Sequence, residues 1–410
     1  MFEFQSSLDL LANGDLHGTK ISAPPVKRDL QKSERIRVVR IAHASLTPAL
    51  RGRERALAKR FPQIEMEVVT PPRWCETGVD VETVPDDLFP VRTARTFFSK
   101  HIQLFAYDPF PIIEAFRRHR PHIIDMDHEP YSVQCAEIIT LRNLFAPNTP
   151  IVMQTAQNIL KKYPPPFSIL EKRAFRQVSA AYMCSETVRE VLTTKNFQKP
   201  TQIAYFGVDL EMFQPTARDA NEPFTIGYIG RLMQQKGVLV LADALAQIKS
   251  ENWRLLVVGD GEARPAMEKK LADHGLSGRC QFIGAVQYDQ TPEYFQKIDV
   301  LALPTITTDK IREQFGRVII EAMACRVPVI GSTCGAIPEV IGDAGIVVPE
   351  GDATALAEAL RQIINDKNLH KNLADAGSRR VKENFTWERV AEQIFSLYRR
   401  VLPHESFAFD

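Results

Sequence analysis

Two carboxylates eight residues apart, Glu313 and Glu321, bracket the run Gln314-Phe315-Gly316-Arg317-Val318-Ile319-Ile320, which reads as the opening of a helix. A helix start presents unpaired backbone amides and draws anions. Gly316, without a side chain, leaves room for a ligand to approach the backbone. If the run is mostly helical, eight steps put roughly 12 Å between the two carboxylates. That is about the reach from a hexose hydroxyl, past a diphosphate, to a ribose. Glu321 falls in the apolar stretch VIIEAMA, where a carboxylate is costly without hydrogen-bond donors. Ribose hydroxyls would supply them.

A second constellation runs from Gly230-Arg231 to Lys236-Gly237, where the apolar strand FTIGYI meets a loop ahead of another helix. The loop holds one guanidinium, a forked donor, and one ammonium, a mobile point charge. Together they would neutralise a diphosphate at the helix mouth. The Walker pattern GxxxxGK[ST] is absent. Taken alone, the loop reads better as a strand-helix turn with two solvated charges. Gly259-Asp260-Gly261 follows the strand LLVV, but Arg264 stands where a dinucleotide fingerprint needs its third glycine. That pair reads as a tight turn, and a nicotinamide enzyme is disfavoured.

Strands alternating with helices position these residues. In the first half, strands are predicted at Ile36–Ala42, 65–70, 122–127, 150–153 and 180–183, with helices near 53–61, 111–120, 132–144 and 166–176. The pattern restarts beyond the polar, turn-rich residues 216–223, which read as a linker. Strands then fall at 224–229, 254–258, 280–283, 300–303 and 329–330, with helices at 237–249, 263–275 and 316–325. Such alternation implies βαβ units and mostly parallel sheets. The expectation is α/β: two Rossmann-like, doubly wound domains facing across a cleft, with ligands beyond the carboxyl ends of the strands. Residues 1–34 read as an extension, 35–207 as the first domain and 208–385 as the second. Residues 386–410 hold an amphipathic helix (Trp387, Val390, Ala391, Ile394, Phe395, Tyr398, Val401) expected to pack back on the first domain.

Composition narrows the classes. The 410 residues are 44% hydrophobic and 25% charged, with 51 Lys+Arg against 50 Asp+Glu. That balance suits a globular protein and argues against a dedicated nucleic-acid binder. Residues 1–205 carry 28 basic and 22 acidic side chains, leaving 23 and 28 in the remainder. The six cysteines include no CxxC pair, so no zinc or thioredoxin-type site is expected and the thiols read as buried in a reducing compartment. The N-terminus lacks signal-peptide character and no apolar run is long enough to span a bilayer, so the expected location is cytoplasmic.

The succession GYIGRL–KG, VVGDG, FIGAV, ALPT, the E-x7-E run and EAMACRVPVIGSTCGAIPEVI resembles family 4 of the retaining glycosyltransferases, which have the GT-B fold. The likeness is close over 206–401 and looser before, through PHIIDMDHEPYS, IVMQTAQN and FGVDLEMFQP. It implies that Arg231 and Lys236 bind the diphosphate of a nucleotide-sugar donor and stabilise it as leaving group. Glu313 would contact the transferred sugar and Glu321 the ribose. Gly230, Phe315, Gly316 and Arg317 would lie against the phosphates and sugar, and Gly284, Ala285 and Val286 would cradle a uridine or guanosine base. The first domain would serve the acceptor, a glycan or a lipid-linked sugar of cell-surface polysaccharide synthesis. No metal or resident cofactor is implied, the nucleotide sugar being a co-substrate, and no nucleic acid is expected as a partner.

The sequence departs from that pattern in three places. Gln154 stands where many relatives have a histidine near the sugar, and glutamine cannot shuttle a proton; Gln154 or Gln157 would only position the sugar. Arg326 replaces the usual glycine after EAMAC, and the first loop, Ala42 to Pro48, lacks a glycine cluster. His43 in that loop and Glu129 in HEPYS are the remaining acceptor-side candidates. Asp125-Met126-Asp127 places two carboxylates on one face of a strand end, and a structural or acceptor-contacting role is expected rather than a metal site. The basic helix 111–120, with Arg117, Arg118, His119 and Arg120, is a solvated face or a peripheral contact with the inner face of a membrane. Two other readings stay open: a nucleotide-sugar 2-epimerase of the same fold, and a non-catalytic sugar-nucleotide-binding scaffold.

Overall fold

The computed structural model describes residues 35–402, apart from 77–78, 100, 217–221 and 310. The extension expected over 1–34 and the chain beyond 402 lie outside the described residues, as does most of the expected linker. The first half contains β1 (Ile36–Ala42), β2 (Ile64–Thr70), a hairpin of β3 (Arg73–Glu76) and β4 (Val79–Glu82), and β5 (Val91–Thr93). A second hairpin, β6 (Thr96–Phe97) and β7 (Ala106–Tyr107), precedes β8 (Ile123–Asp127), β9 (Ile151–Thr155), β10 (Ala180–Met183) and β11 (Thr201–Ile203). Seven of these form one parallel sheet in the order β11-β10-β9-β8-β1-β2-β5. The second half contains β12 (Phe224–Ile229), β13 (Trp253–Val258), β14 (Cys280–Gly284), β15 (Val300–Leu303), β16 (Val329–Ser332) and β17 (Ile346–Val348). Their order is β14-β13-β12-β15-β16-β17, again all parallel.

Parallel neighbours need crossover connections, and helices supply them on both faces. The strands are accordingly apolar on both sides: Val38, Val39 and Ile41 of β1 are fully buried, as are Val300, Leu301 and Ala302 of β15. Local chemistry fixes where the helices start. Asp108 accepts from the amide of Phe110, Ser132 from that of Cys135, Asp352 from those of Thr354 and Ala355, and Thr386 from that of Arg389. Strand order reverses direction between β1 and β8 in the first sheet and between β12 and β15 in the second. In doubly wound sheets those two crevices are where ligands bind.

The terminal helix, Trp387–Val401, lies against the first sheet. Phe395 stacks on Phe61 at 4.0 Å between ring centroids, and Arg400 donates to the carbonyl of Thr201 at 2.9 Å. At its start, the Val208 amide donates to Phe385 O at 2.9 Å. The Trp387 indole covers Gly52 and Gly207, where a Cβ would come within 2.2 and 2.5 Å of its ring atoms.

A charged cluster is sealed within the first lobe. Arg40 of β1, 1% exposed, donates to Glu54 at 3.0 Å, to Tyr182 at 2.8 Å and to Gln154 at 2.9 Å, and pairs with Asp125 at 2.5 Å. The hydroxyl of Tyr398, on the terminal helix, donates to the other oxygen of Asp125. Burial opposes the charge on Arg40, but Asp125, Tyr182, Glu54 and Asp127 outweigh it and hold its pKa above the usual value. Burial likewise opposes ionisation of Glu54, yet Arg53 and Arg40 hold its carboxyl at about 2.

Glu137 has no such partner cation among the described residues. It accepts one bond, from the Tyr107 amide at 3.0 Å, while its second oxygen is buried without a partner among the described residues. Burial pushes its carboxyl up to about 8. An unfolded glutamate titrates near about 4.3, so between those values the folded state holds a proton that the unfolded state lacks, and stability falls as pH rises. Glu137→Gln should remove that slope. In urea unfolding the variant should match wild type near pH 4.5 and exceed it at pH 8 by at least about 1 kcal/mol, the worth of under one pKa unit. No gain at pH 8 would count against a neutral buried carboxyl.

Candidate active site

The loop after β12 behaves as its residues require. Tyr228, fully buried, donates its hydroxyl to Arg231 O at 2.7 Å, which folds the chain back at Gly230-Arg231 and leaves the guanidinium exposed. A single 3-10 turn, Gln234–Lys236, leads through Gly237 into the helix Val238–Gln247. The Gly259-Asp260-Gly261 turn packs beneath: Leu232 N donates to Asp260 O at 3.0 Å and Gly259 N to Gly284 O at 2.7 Å. Its glycines serve backbone contact, as expected of a tight turn.

Opposite that loop, beyond β15, stands Glu313. Lys236 Nζ lies 2.5 Å from Glu313 Oε2, and Thr305 donates to the same oxygen at 3.4 Å. Burial and then the charge of Glu313 push the Tyr228 phenol up, and Arg231 opposes them, so these groups share one electrostatic environment. Lys236 and Glu313 therefore meet at the switch point between β12 and β15, with Arg231 on the same loop after β12.

The motif's second half differs from the helical expectation. The helix spans only Arg317–Ala324, and Gly316 turns the chain into it at φ 79°. Residues 313–316 are not helical, so helical spacing does not set the distance between Glu313 and Glu321. Glu321 is buried, with Arg317 Nη2 at 3.7 Å. Burial raises its carboxyl pKa, against the pull of Arg317 and a hydrogen bond from Tyr288. Arg317 also sits 4.8 Å above the Tyr288 ring. Protein donors thus already serve the carboxylate for which the sequence suggested ribose hydroxyls alone. Phe315 points away from the loop, into an aromatic cluster with Tyr205, Phe206 and Phe385. Gly284 ends β14, with Ala285 exposed and Val286 half-buried beyond it. Arg326 adopts φ 60°, the left-handed conformation that glycine favours, and pairs with Asp375.

The first-lobe candidates scatter over three settings. His43 follows β1 and packs with Trp74 (5.1 Å), His128 (5.6 Å) and Phe105 (6.0 Å), its Nδ1 buried without a partner among the described residues. Burial, His43 and Arg40 keep His128 neutral, its pKa well below the usual value. Glu129 accepts from Thr155 Oγ1 at 2.5 Å and from Ala156 N at 2.9 Å, bracing the loop after β9. Gln154 accepts from Arg40 and, at 2.5 Å, from Arg53. Its carbonyl is engaged in the buried cluster, a structural task that sequence alone did not suggest. Gln157 donates to Tyr163 at 2.9 Å. Asp125 and Asp127 both face the Arg40 guanidinium. No metal-binding cluster of His, Cys, Asp or Glu occurs among the described residues.

One contributor went unread in the sequence. Asn158 donates across from the first lobe to Glu313 O at 2.8 Å and Arg312 O at 3.3 Å, while the thiol of Cys184 reaches Gln314 O at 3.5 Å. Only the adjacency of Asn158 to Gln157 pointed to it.

Residues 223–366 match the family described as Glycosyl transferases group 1. That stretch, the bulk of the second lobe, is similar to the group 1 glycosyltransferases. Among curated relatives, the capsular polysaccharide biosynthesis glycosyltransferase CapM of Staphylococcus aureus is 29% identical over 57% of this chain and 65% of its own length. N-acetyl-alpha-D-glucosaminyl L-malate synthase of Bacillus anthracis is 30% identical over 52% and 55%. The matches to these two relatives thus span between half and two thirds of their length. Among solved structures, sucrose-phosphate synthase of Thermosynechococcus elongatus superposes with a TM-score of 0.67 over 90% of this chain and 99% of that one, at 22% identity. Anabaena Alr3699/HepE in complex with UDP and glucose gives 0.68 over 89% and 100%, at 17% identity. The fold is GT-B.

The second lobe holds Glu313 from behind through Gly335, at φ 59°, where a Cβ would lie 2.1 Å from Glu313 O, and through Ala336 N, which donates to that oxygen at 3.0 Å. Gly351 has a similar φ of 80° with nothing within 4 Å. Alanine at either position should cost about 1 kcal/mol of left-handed strain. Gly335→Ala should lose a further 1–3 kcal/mol, roughly the cost of overpacking, in urea unfolding. Equal losses would mean that the Glu313 carbonyl is not held against residue 335.

Proposed function

We propose that the protein is a retaining glycosyltransferase. It moves a hexose-type sugar from a nucleoside diphosphate sugar to a glycan or lipid-linked acceptor in polysaccharide synthesis. The observation that carries this reading is the pairing of Lys236 with Glu313 at the strand ends of the second sheet, beside the loop that carries Arg231. An ammonium has three donors, so Lys236 can hold Glu313 and a phosphate oxygen together. Arg231 supplies a second cation, and the amides at the start of helix 317–324 face the same charge. The Glu313 carboxylate accepts from sugar hydroxyls and fixes the ring. Glu321, steadied by Arg317 and Tyr288, takes the ribose. The UDP and glucose named for the Anabaena structure support a nucleotide-sugar donor.

As the bond from the anomeric carbon to the diphosphate breaks, negative charge grows on the departing phosphate, where the two cations stabilise it. The acceptor oxygen bonds the same face of the anomeric carbon and passes its proton to the leaving phosphate. No side-chain base is needed, which agrees with the engagement of Gln154 elsewhere.

A thermal-shift panel of UDP- and GDP-sugars should give its largest rise in melting temperature with the donor and little or none with sugars of the other nucleotide. Saturation at 100 times Kd adds about 2.7 kcal/mol. Lys236→Ala and Glu313→Ala should each lower transfer about 10²- to 10³-fold, the usual cost of losing one charge-stabilising group, with folding intact by circular dichroism. Undiminished transfer in either variant would sink the reading. Donor consumption without acceptor product would instead indicate an epimerase.

A further inference from the structure

All ten conspicuously exposed large hydrophobic residues among those described lie between Val84 and Ile169, in the first lobe. Four sit on the β6–β7 hairpin: Phe97 at the end of β6 and Phe98 (64% exposed), Ile102 and Leu104 on its turn, with Phe110 just beyond. Phe98 has φ 60°, a left-handed conformation that a bulky side chain adopts only under constraint, and it is held there with its ring in water. The turn is braced from behind. His101 N donates to Phe98 O, Leu104 N to His101 O, Val133 N to Gln103 O, and the Gln134 side chain to Ile102 O at 3.0 Å. Phe105 is buried against Trp74, His43 and His128. A firm backbone thus presents an apolar tip instead of folding it inward, and such patches mark contact surfaces.

Charge says what the tip contacts. Residues 88–107 contain Arg92, Arg95 and Lys100 and no Asp or Glu. Arg92 is engaged with Glu67 and Glu114, whereas Arg95 is exposed. Aromatic and aliphatic side chains beside cations, with no acid among them, suit the interface of an anionic bilayer. The basic helix, Pro109–His119, is poorly suited to that contact. Arg118 pairs with Glu114, Arg117 lies over Phe145, and His119 bonds Glu65 O.

We propose that the β6–β7 hairpin docks the protein on an anionic lipid bilayer through Phe97, Phe98, Ile102 and Leu104, with the exposed Arg95 meeting the headgroups. The inference stands apart from the transferase reading. If both hold, His43, packed on Phe105 behind the hairpin, lies on the lipid-facing side and the acceptor is lipid-linked.

Flotation of the full chain with vesicles of equal phosphatidylglycerol and phosphatidylcholine tests it. Wild type should float with them at least tenfold more than with pure phosphatidylcholine vesicles. The triple variant Phe97→Ser, Phe98→Ser, Ile102→Ser should lose at least tenfold of that binding, and Arg95→Glu should weaken the anionic preference. Arg117→Glu with Arg118→Glu should change nothing. Unaltered melting temperature and UDP response in the triple variant separate lipid contact from folding and from the nucleotide site. The proposal is overturned if wild type ignores both vesicles, if the triple variant floats equally, or if the serines only convert an oligomer to a monomer, which would make the tip a self-association face.

Discussion

The guanidinium of Arg40 is sealed inside the first lobe, and the surrounding elements have to bring acceptors to it. Helix 52–60 supplies Glu54, β8 supplies Asp125, β9 supplies Gln154 and β10 supplies Tyr182. Tyr398 of the last helix completes Asp125. A buried cation missing one partner is destabilised by several kcal/mol, so the strand ends and the terminal helix are bound to one arrangement. That requirement draws the chain, after it has built the second lobe, back to the first. The return crosses beside the outward passage, where Val208 meets Phe385 and Trp387 covers Gly207.

Both sheets place their special residues by the same topological rule. In the first, His43 and His128 follow β1 and β8; in the second, Arg231 follows β12 and Glu313 follows β15. Each pair flanks the point where strand order reverses, the crevice that a doubly wound sheet leaves open. The two crevices differ in chemistry. One is aromatic with neutral imidazole, fit for stacking and weak hydrogen bonds, and the other is built from charges, fit for phosphate.

Much of this was legible in the residues. Apolar runs separated by helical spacing gave both parallel sheets, because strands buried on two faces leave a plain signature. A shared task for Lys236 and Glu313 was expected only through the family resemblance, since the loop by itself reads as a turn with solvated charges. Three things were not. The position of Gln154 on β9 suggested contact with a sugar, whereas burial of Arg40, which reads only as a residue of a strand, claims its carbonyl. The spacing of Glu313 and Glu321 suggested a helical rise, and Gly316 breaks it. The short hairpins β3–β4 and β6–β7 have too few residues for any periodicity to register. Helices 353–365 and 367–384 bear no chemistry, and a reading led by motifs passes over the apolar spacing of Leu356, Leu360 and Ile363.

The amide of Asn158 grips the carbonyl of Glu313 from the opposite lobe. Were the lobes to part, that grip would be lost, so the backbone at Glu313 holds its place only while the two halves stay together.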